Sequence, residues 1–269
     1  MRKKLFDPSK NKTPMRVAGF MSGSGTNIKK ILENQKNLKK AFGNCPYEVA
    51  FLFSDRKDLN RCKIKEIAME NNLPYEINDI WDYYTSRGHD TKKDLNLRAD
   101  YDLENVDHLK EHDIDAIALA GYMSIVTERI FKLYPTINVH PADLTKMKNG
   151  KRKFIGDNAV RDAILAGETH IASSTILVNE QIDGGPLLLV SKPITVKIPF
   201  EITIEFLKKT ENKTILNEIT ERNQDELKRE GDWKIFPKTL EYLGNGSIEV
   251  DDEGKVFINN LPAPIRLQY

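Results

Sequence analysis

The run RVAGFMS at residues 16–22, entering GSGTN at once, constrains this chain more than any other feature. An almost unbroken apolar stretch followed by two closely spaced glycines reads as a buried strand that turns sharply into a helix. A strand covered on both faces belongs to a parallel sheet. The alternation then recurs. Residues 47–54 form a second strand with apolar Val49, Phe51 and Phe53, residues 60–71 have helical periodicity, and residues 74–77 make a short strand. Residues 94–112 read as a long polar helix, 116–120 as a buried strand, 126–133 as a helix and 137–140 as another strand. Strands and helices alternating at this interval predict an α/β, Rossmann-like fold, with a mostly parallel twisted sheet and helices on both faces. Such sheets hold ligands at the carboxyl ends of their strands.

Beyond His140 the pattern changes. The basic stretch LTKMKNGKRKFIGDN reads as a long loop, with a surface patch of lysines and arginines at residues 146–153. A helix follows at 159–166, then two apolar strands at 171–178 and 186–193 around the turn NEQIDGG. Helices fill much of 200–243, and a hairpin joined by DDEG closes the chain. The expected organisation is a flexible arm at 1–14, a main domain at 15–199, and a helical and hairpin extension at 200–269 packed on that domain.

Lys and Arg (41) nearly cancel Asp and Glu (40), so net charge gives no reason to expect nucleic acid as a partner. Cys45 and Cys62 form neither a disulfide framework nor a metal-ligand spacing. The basic N-terminus lacks the apolar stretch of a signal peptide, and no apolar run approaches a membrane span. The expected location is the cytoplasm, with small-molecule partners, no metal and no membrane.

Three constellations carry chemistry. At the glycine turn the backbone can approach a ligand closely, and the helix N-terminus behind it offers free N–H groups to a phosphate. The same turn also serves as a plain connection with Thr26 or Asn27 as N-cap. Second, Asn138 and His140 in NVHP lie two apart on one face of a strand end, where an amide and an imidazole can grip a single developing oxyanion. A strand-end histidine that satisfies a buried hydrogen bond fits equally well. Third, Asp183 in QIDGGP is either a turn former or the partner that orients His140.

Taken together, SGSGTN, AGYM, NVHP and IDGGP, in that order, resemble the glycinamide ribonucleotide formyltransferase family over residues 15–193, and more weakly through Pro264. The resemblance implies a formyltransferase fold and transfer of formyl from 10-formyltetrahydrofolate, a co-substrate, to the amine of glycinamide ribonucleotide in purine biosynthesis. It implies catalysis by Asn138, His140 and Asp183, and phosphate binding at Gly25, Thr26 and Asn27. It places folate against Arg98, against Met123, Ser124, Ile125 and Val126, and against Asn179, Glu180, Gln181 and Ile182. Asp232 corresponds, by a weaker alignment, to an acidic residue that holds ribose hydroxyls. Either a monomer or a homodimer is compatible with it.

The departures concern the acceptor. Ser124 stands where relatives carry Arg, Ile176 where they commonly carry His, and LTKMKNGKRKFIG replaces LLPxxPG. Transfer to an amino-sugar nucleotide, hydrolysis of formyl-folate and a non-catalytic folate- or nucleotide-binding protein are the alternatives.

Overall fold

The computed structural model describes residues 1–268. Eight strands build the central sheet: β1 (Met15–Met21), β2 (Tyr47–Ser54), β3 (Tyr75–Ile77), β4 (Ala116–Leu119), β5 (Thr136–His140), β6 (Ser174–Leu177), β7 (Leu187–Val190) and β8 (Ile265–Arg266). Their order is β8-β7-β6-β5-β4-β1-β2-β3. Neighbours from β3 to β5 are parallel. Strand β6 runs antiparallel to both β5 and β7, and β8 lies parallel to β7. The sheet is thus mostly parallel, as the alternation predicts.

Side chains along β1 face alternate layers because a strand has a period of two. Val17 and Met21 share a core with Ile28 and Ile31 of the Thr26–Phe42 helix and Leu240 of the Trp233–Gly244 helix. Ala18 and Phe20 share the opposite core with Phe51, Phe53 and Tyr101, Val106 and Leu109 of the Leu95–Glu111 helix. That helix starts where Asp94 accepts from the backbone N–H groups of Asn96 and Leu97, a side-chain cap.

The chain runs from β1 outward to β3 and then returns to β4 on the other side of β1. This reversal leaves a crevice between the carboxyl ends of β1 and β4, the usual ligand position in such sheets.

Three expectations need correction. Residues 1–14 are not a frayed arm: Arg2–Lys4 pairs antiparallel with Ile248–Asp251, and Phe6 is buried. The stretch after His140 is not all loop. It contains a hairpin, Met147–Lys148 against Lys151–Arg152, turning on Asn149 and Gly150 at φ 51° and 74°. That geometry suits a two-residue primed turn. Finally, the chain does not end at the Ile248–Ile258 hairpin, because β8 returns to the edge of the main sheet.

Candidate active site

The glycine turn follows β1 at the mouth of the crevice. Gly25 adopts φ 66°, and a Cβ there would lie 2.4 Å from Ile67 Cδ1, so only glycine fits without displacement. The helix begins at Thr26 with no side-chain cap and no acidic residue in its first turn. Neither Thr26 nor Asn27 is therefore an N-cap, and the first N–H groups keep their capacity for an anion.

Asp55, fully buried after β2, ties this turn to the loop after β4. It accepts from Ser22 Oγ at 2.5 Å and from Ser124 Oγ. Ser22 in turn accepts from the Met123 backbone N–H at 2.9 Å, and its own N–H donates to Gly121 O. Ser124 thus faces a carboxylate within the protein. Met123 and Ile125 are exposed, whereas Val126 is buried in the core beneath this loop.

The Arg98 guanidinium lies in the interior, 2% exposed. It donates to Tyr122 Oη at 3.1 Å, lies 3.5 Å from Asp102 and stacks 4.7 Å from the Tyr101 ring centre. Asp102 accepts from both the N–H and the hydroxyl of Thr127. Burial pushes the Asp102 carboxyl upward, opposed by Arg98 and Thr127. Arg98 supports the 121–127 loop from beneath.

Across the sheet, β5 presents Asn138 partly exposed and His140 buried. The Asp183 carboxylate arrives from the turn between β6 and β7 and stands 3.5 Å from His140 Nδ1. Asp183 has φ 51°, a conformation that a non-glycine residue holds only when its surroundings fix it. Gly185 is obligatory here, since a Cβ would lie 1.8 Å from Leu177 O. Asn179 caps the same turn by accepting from Gln181 N, while Glu180, Gln181 and Ile182 are exposed.

Asp232 joins the two halves of the site. It lies in a π-helical turn, Lys228–Asp232, of the kind that often marks functional positions. Ser173 Oγ donates to its carboxylate, and the Asn27 side chain lies close enough to favour its charged form. Gly231 permits the approach, because a Cβ would lie 2.5 Å from Ser173 Oγ. Burial pushes the Asp232 carboxyl up to about 6, partly opposed by Ser173, Lys228, Asn27 and the nearby His140. Only 4% exposed, Asp232 is a buried anchor of the phosphate turn before it is anything else.

The basic insert, which composition allows as either a solvated loop or a cover over a ligand, reaches His140 and Asp183. His140 Nε2 is 2.7 Å from Phe154 O, Gly156 N–H donates to Asp183 Oδ2 at 2.8 Å, and Arg152 Nη1 donates to Asp183 O at 2.5 Å. No sequence signal pointed to Arg152, Phe154 or Ser173. A cavity of about 580 Å³ opens between Arg152, Asn179 and Gly184 on one side and Val256, Phe257 and Pro262 on the other. Asn138, His140 and the glycine turn do not line it. Among the described residues, no group of three His, Cys, Asp or Glu side chains is placed to hold a metal. Among them, too, no helix is long and apolar enough to cross a membrane.

An amide, an imidazole and a carboxylate gathered at the rim of a Rossmann-like sheet suit group transfer at a carbonyl carbon. The sequence profile described as Formyl transferase matches residues 15–216, and the chain belongs to that family of folate-dependent enzymes. It is 26% identical over 242 residues to phosphoribosylglycinamide formyltransferase of Haemophilus influenzae, covering 88% of this chain and 91% of that protein. It is 26% identical over 148 residues to formyltetrahydrofolate deformylase of Bacillus subtilis, covering 54% and 41% of the two chains. The crystal structure of glycinamide ribonucleotide transformylase 1 from Symbiobacterium toebii superposes with a TM-score of 0.64 at 24% identity, covering 92% and 95%. This last likeness speaks for the fold.

Proposed function

We propose that this enzyme transfers the formyl group of 10-formyltetrahydrofolate to the amine of glycinamide ribonucleotide, a step of purine biosynthesis. The observation that carries the reading is the meeting of His140 and Asp183, 3.5 Å apart, on the same strand end as Asn138. The phosphate of the acceptor sits on Gly25, Thr26 and Asn27, held by the uncapped helix start. Asp232 fixes Asn27 from behind and offers the remaining carboxylate capacity to the ribose. The folate lies against the exposed Met123, Ile125 and Ile182, with Ser124, Val126, Asn179, Glu180 and Gln181 completing its walls. Arg98 takes part by holding that wall in place.

The neutral amine attacks the formyl carbon, and negative charge gathers on the former carbonyl oxygen. The Asn138 amide and the protonated His140 ring donate to that oxygen. Asp183 orients His140 and, through water, carries the proton lost by the amine to the leaving folate nitrogen. Bonds balance: one C–N bond forms, one breaks, and a single proton changes nitrogen.

The test mixes purified protein, 10-formyltetrahydrofolate and glycinamide ribonucleotide, and follows tetrahydrofolate by absorbance and the formylated product by mass. Equal appearance of both supports the reading. Folate release without acceptor indicates the hydrolase that the Bacillus subtilis relative's name describes. Binding without turnover indicates a non-catalytic protein.

A further inference from the structure

The insert at residues 144–158 touches the catalytic pair only through backbone groups and one guanidinium. Phe154, at φ 59°, turns its carbonyl onto His140 Nε2 at 2.7 Å. A carbonyl only accepts, so Nε2 must carry the hydrogen. Two residues on, Gly156 at φ 78° donates its N–H to Asp183 Oδ2. Arg152 donates to the carbonyl of Asp183, the residue whose own backbone is held in the left-handed region.

These contacts are anchored. Lys153 N–H donates to Lys146 O at 2.9 Å, and both lysines pair with the same Glu168 carboxylate. The Phe154 side chain packs on a small core of Ala142, Leu144, Ala159 and Ile176. A surface loop would leave its charges solvated and its peptide groups to water. Here the peptide groups are spent on the two side chains that carry the chemistry.

We infer that the insert is a positioning clamp: the Phe154 carbonyl holds the hydrogen of His140 on Nε2, which turns Nδ1 toward Asp183, and Arg152 holds the Asp183 peptide. The inference rests on the proposed formyl transfer for its catalytic consequence, but not for its geometry. Arg152 acts through Asp183 and is a positioning residue. Loss of its hydrogen bond frees a strained peptide to relax, and a displacement near 1 Å at a reacting group costs about a hundredfold in rate.

Two measurements test it. The imidazole nitrogens of ¹⁵N-labelled resting protein are observed by long-range ¹H–¹⁵N correlation, with His140 assigned by its loss in His140→Ala. A hydrogen on Nε2 supports the clamp, and a ring whose single hydrogen sits on Nδ1, or is shared evenly between the two nitrogens, overturns it. Steady-state kinetics then compare Arg152→Ala and Arg152→Lys with the wild type. A fall in kcat of about ten- to a hundredfold, KM values within about twofold, and partial recovery in the lysine variant are expected. Unchanged kcat, or equal losses in both variants, overturns the role of Arg152. If Arg152→Ala does not fold, the tautomer measurement decides alone. If the wild type formylates no amine, the proposed function fails while the tautomer still decides the clamp.

Discussion

The parallel half of the sheet and its antiparallel edge contribute to the site in different ways. From β3 to β5 the chain places its functional groups by continuing past a strand end: Ser22 to Asn27 after β1, Asp55 after β2, Gly121 to Val126 after β4, and Asn138 and His140 on β5 itself. Each group is fixed by a neighbour close in space and by strands buried on both faces. The edge from β6 to β8 works by reversal. Asp183 enters on a tight turn, held at positive φ by Arg152, Gly156 and Gly185. The parallel half supplies a stiff platform, whereas the edge supplies one carboxylate at the cost of local strain.

Breaking the joint between the two halves has the largest effect. Asn138→Ala, His140→Ala and Asp183→Asn are each expected to lower kcat by about a hundredfold or more. The thermal midpoint should move by no more than about 5 °C in the two β5 variants, measured by calorimetry. An active His140→Ala enzyme would separate the halves functionally.

Glycine-to-alanine changes compare the stiffness of the two regions directly. Gly185→Ala drives a Cβ against the Leu177 backbone, which cannot step aside, and should cost about 4 kcal/mol. Gly25→Ala meets the ends of the Ile67 and Met21 side chains, which can shift, and should cost about 2 kcal/mol. Gly43 has φ 77° but open space, and its alanine variant should cost about 1 kcal/mol. Urea unfolding gives the ranking, and an inverted order would show that the edge yields more readily than the platform.

Asp232 sharpens the contrast by pH. A carboxyl raised from 3.8 to about 6 holds its proton more tightly folded than unfolded. Stability therefore falls as pH rises from about 4 to about 6, by at most about 3 kcal/mol. Asp232→Asn should remove that fall, gaining stability at pH 8 and almost none at pH 3.5. A variant less stable at pH 8 would show that the bonds from Ser173 and Asn27 outweigh burial. The smallest effect belongs to the periphery. Arg2→Ala loses a guanidinium 3.5 Å from the Phe257 ring centre and should cost about 0.5 kcal/mol.

Much of the platform was legible because its signals are local. Buried strands show as apolar runs, and Asp94 marks the start of the long helix within its own turn. Asn138 and His140 were readable as a pair because two positions along a strand share a face. The edge was not legible in the same way. The approach of Asp183 to His140 depends on β6 pairing antiparallel with β5, which no short window encodes. The burial of Arg98 was not legible either, because helical periodicity cannot tell a solvated arginine from one whose partners, Asp102 and Tyr122, accompany it into the core. The insert was hard to read from composition, because two of its lysines, Lys146 and Lys153, are balanced by Glu168, a residue well outside it.

The pairing of Arg2–Lys4 with Ile248–Asp251 has a consequence for synthesis. Residues 2–4 leave the ribosome roughly 250 positions before their partners, a wait of roughly 10 to 50 s at ordinary elongation rates. Throughout that interval the platform can assemble while Arg2–Lys4 lacks its strand partner. Pairing of Arg2–Lys4 therefore waits until Ile248–Asp251 has emerged, so the small sheet closes only after most of the large one can have formed.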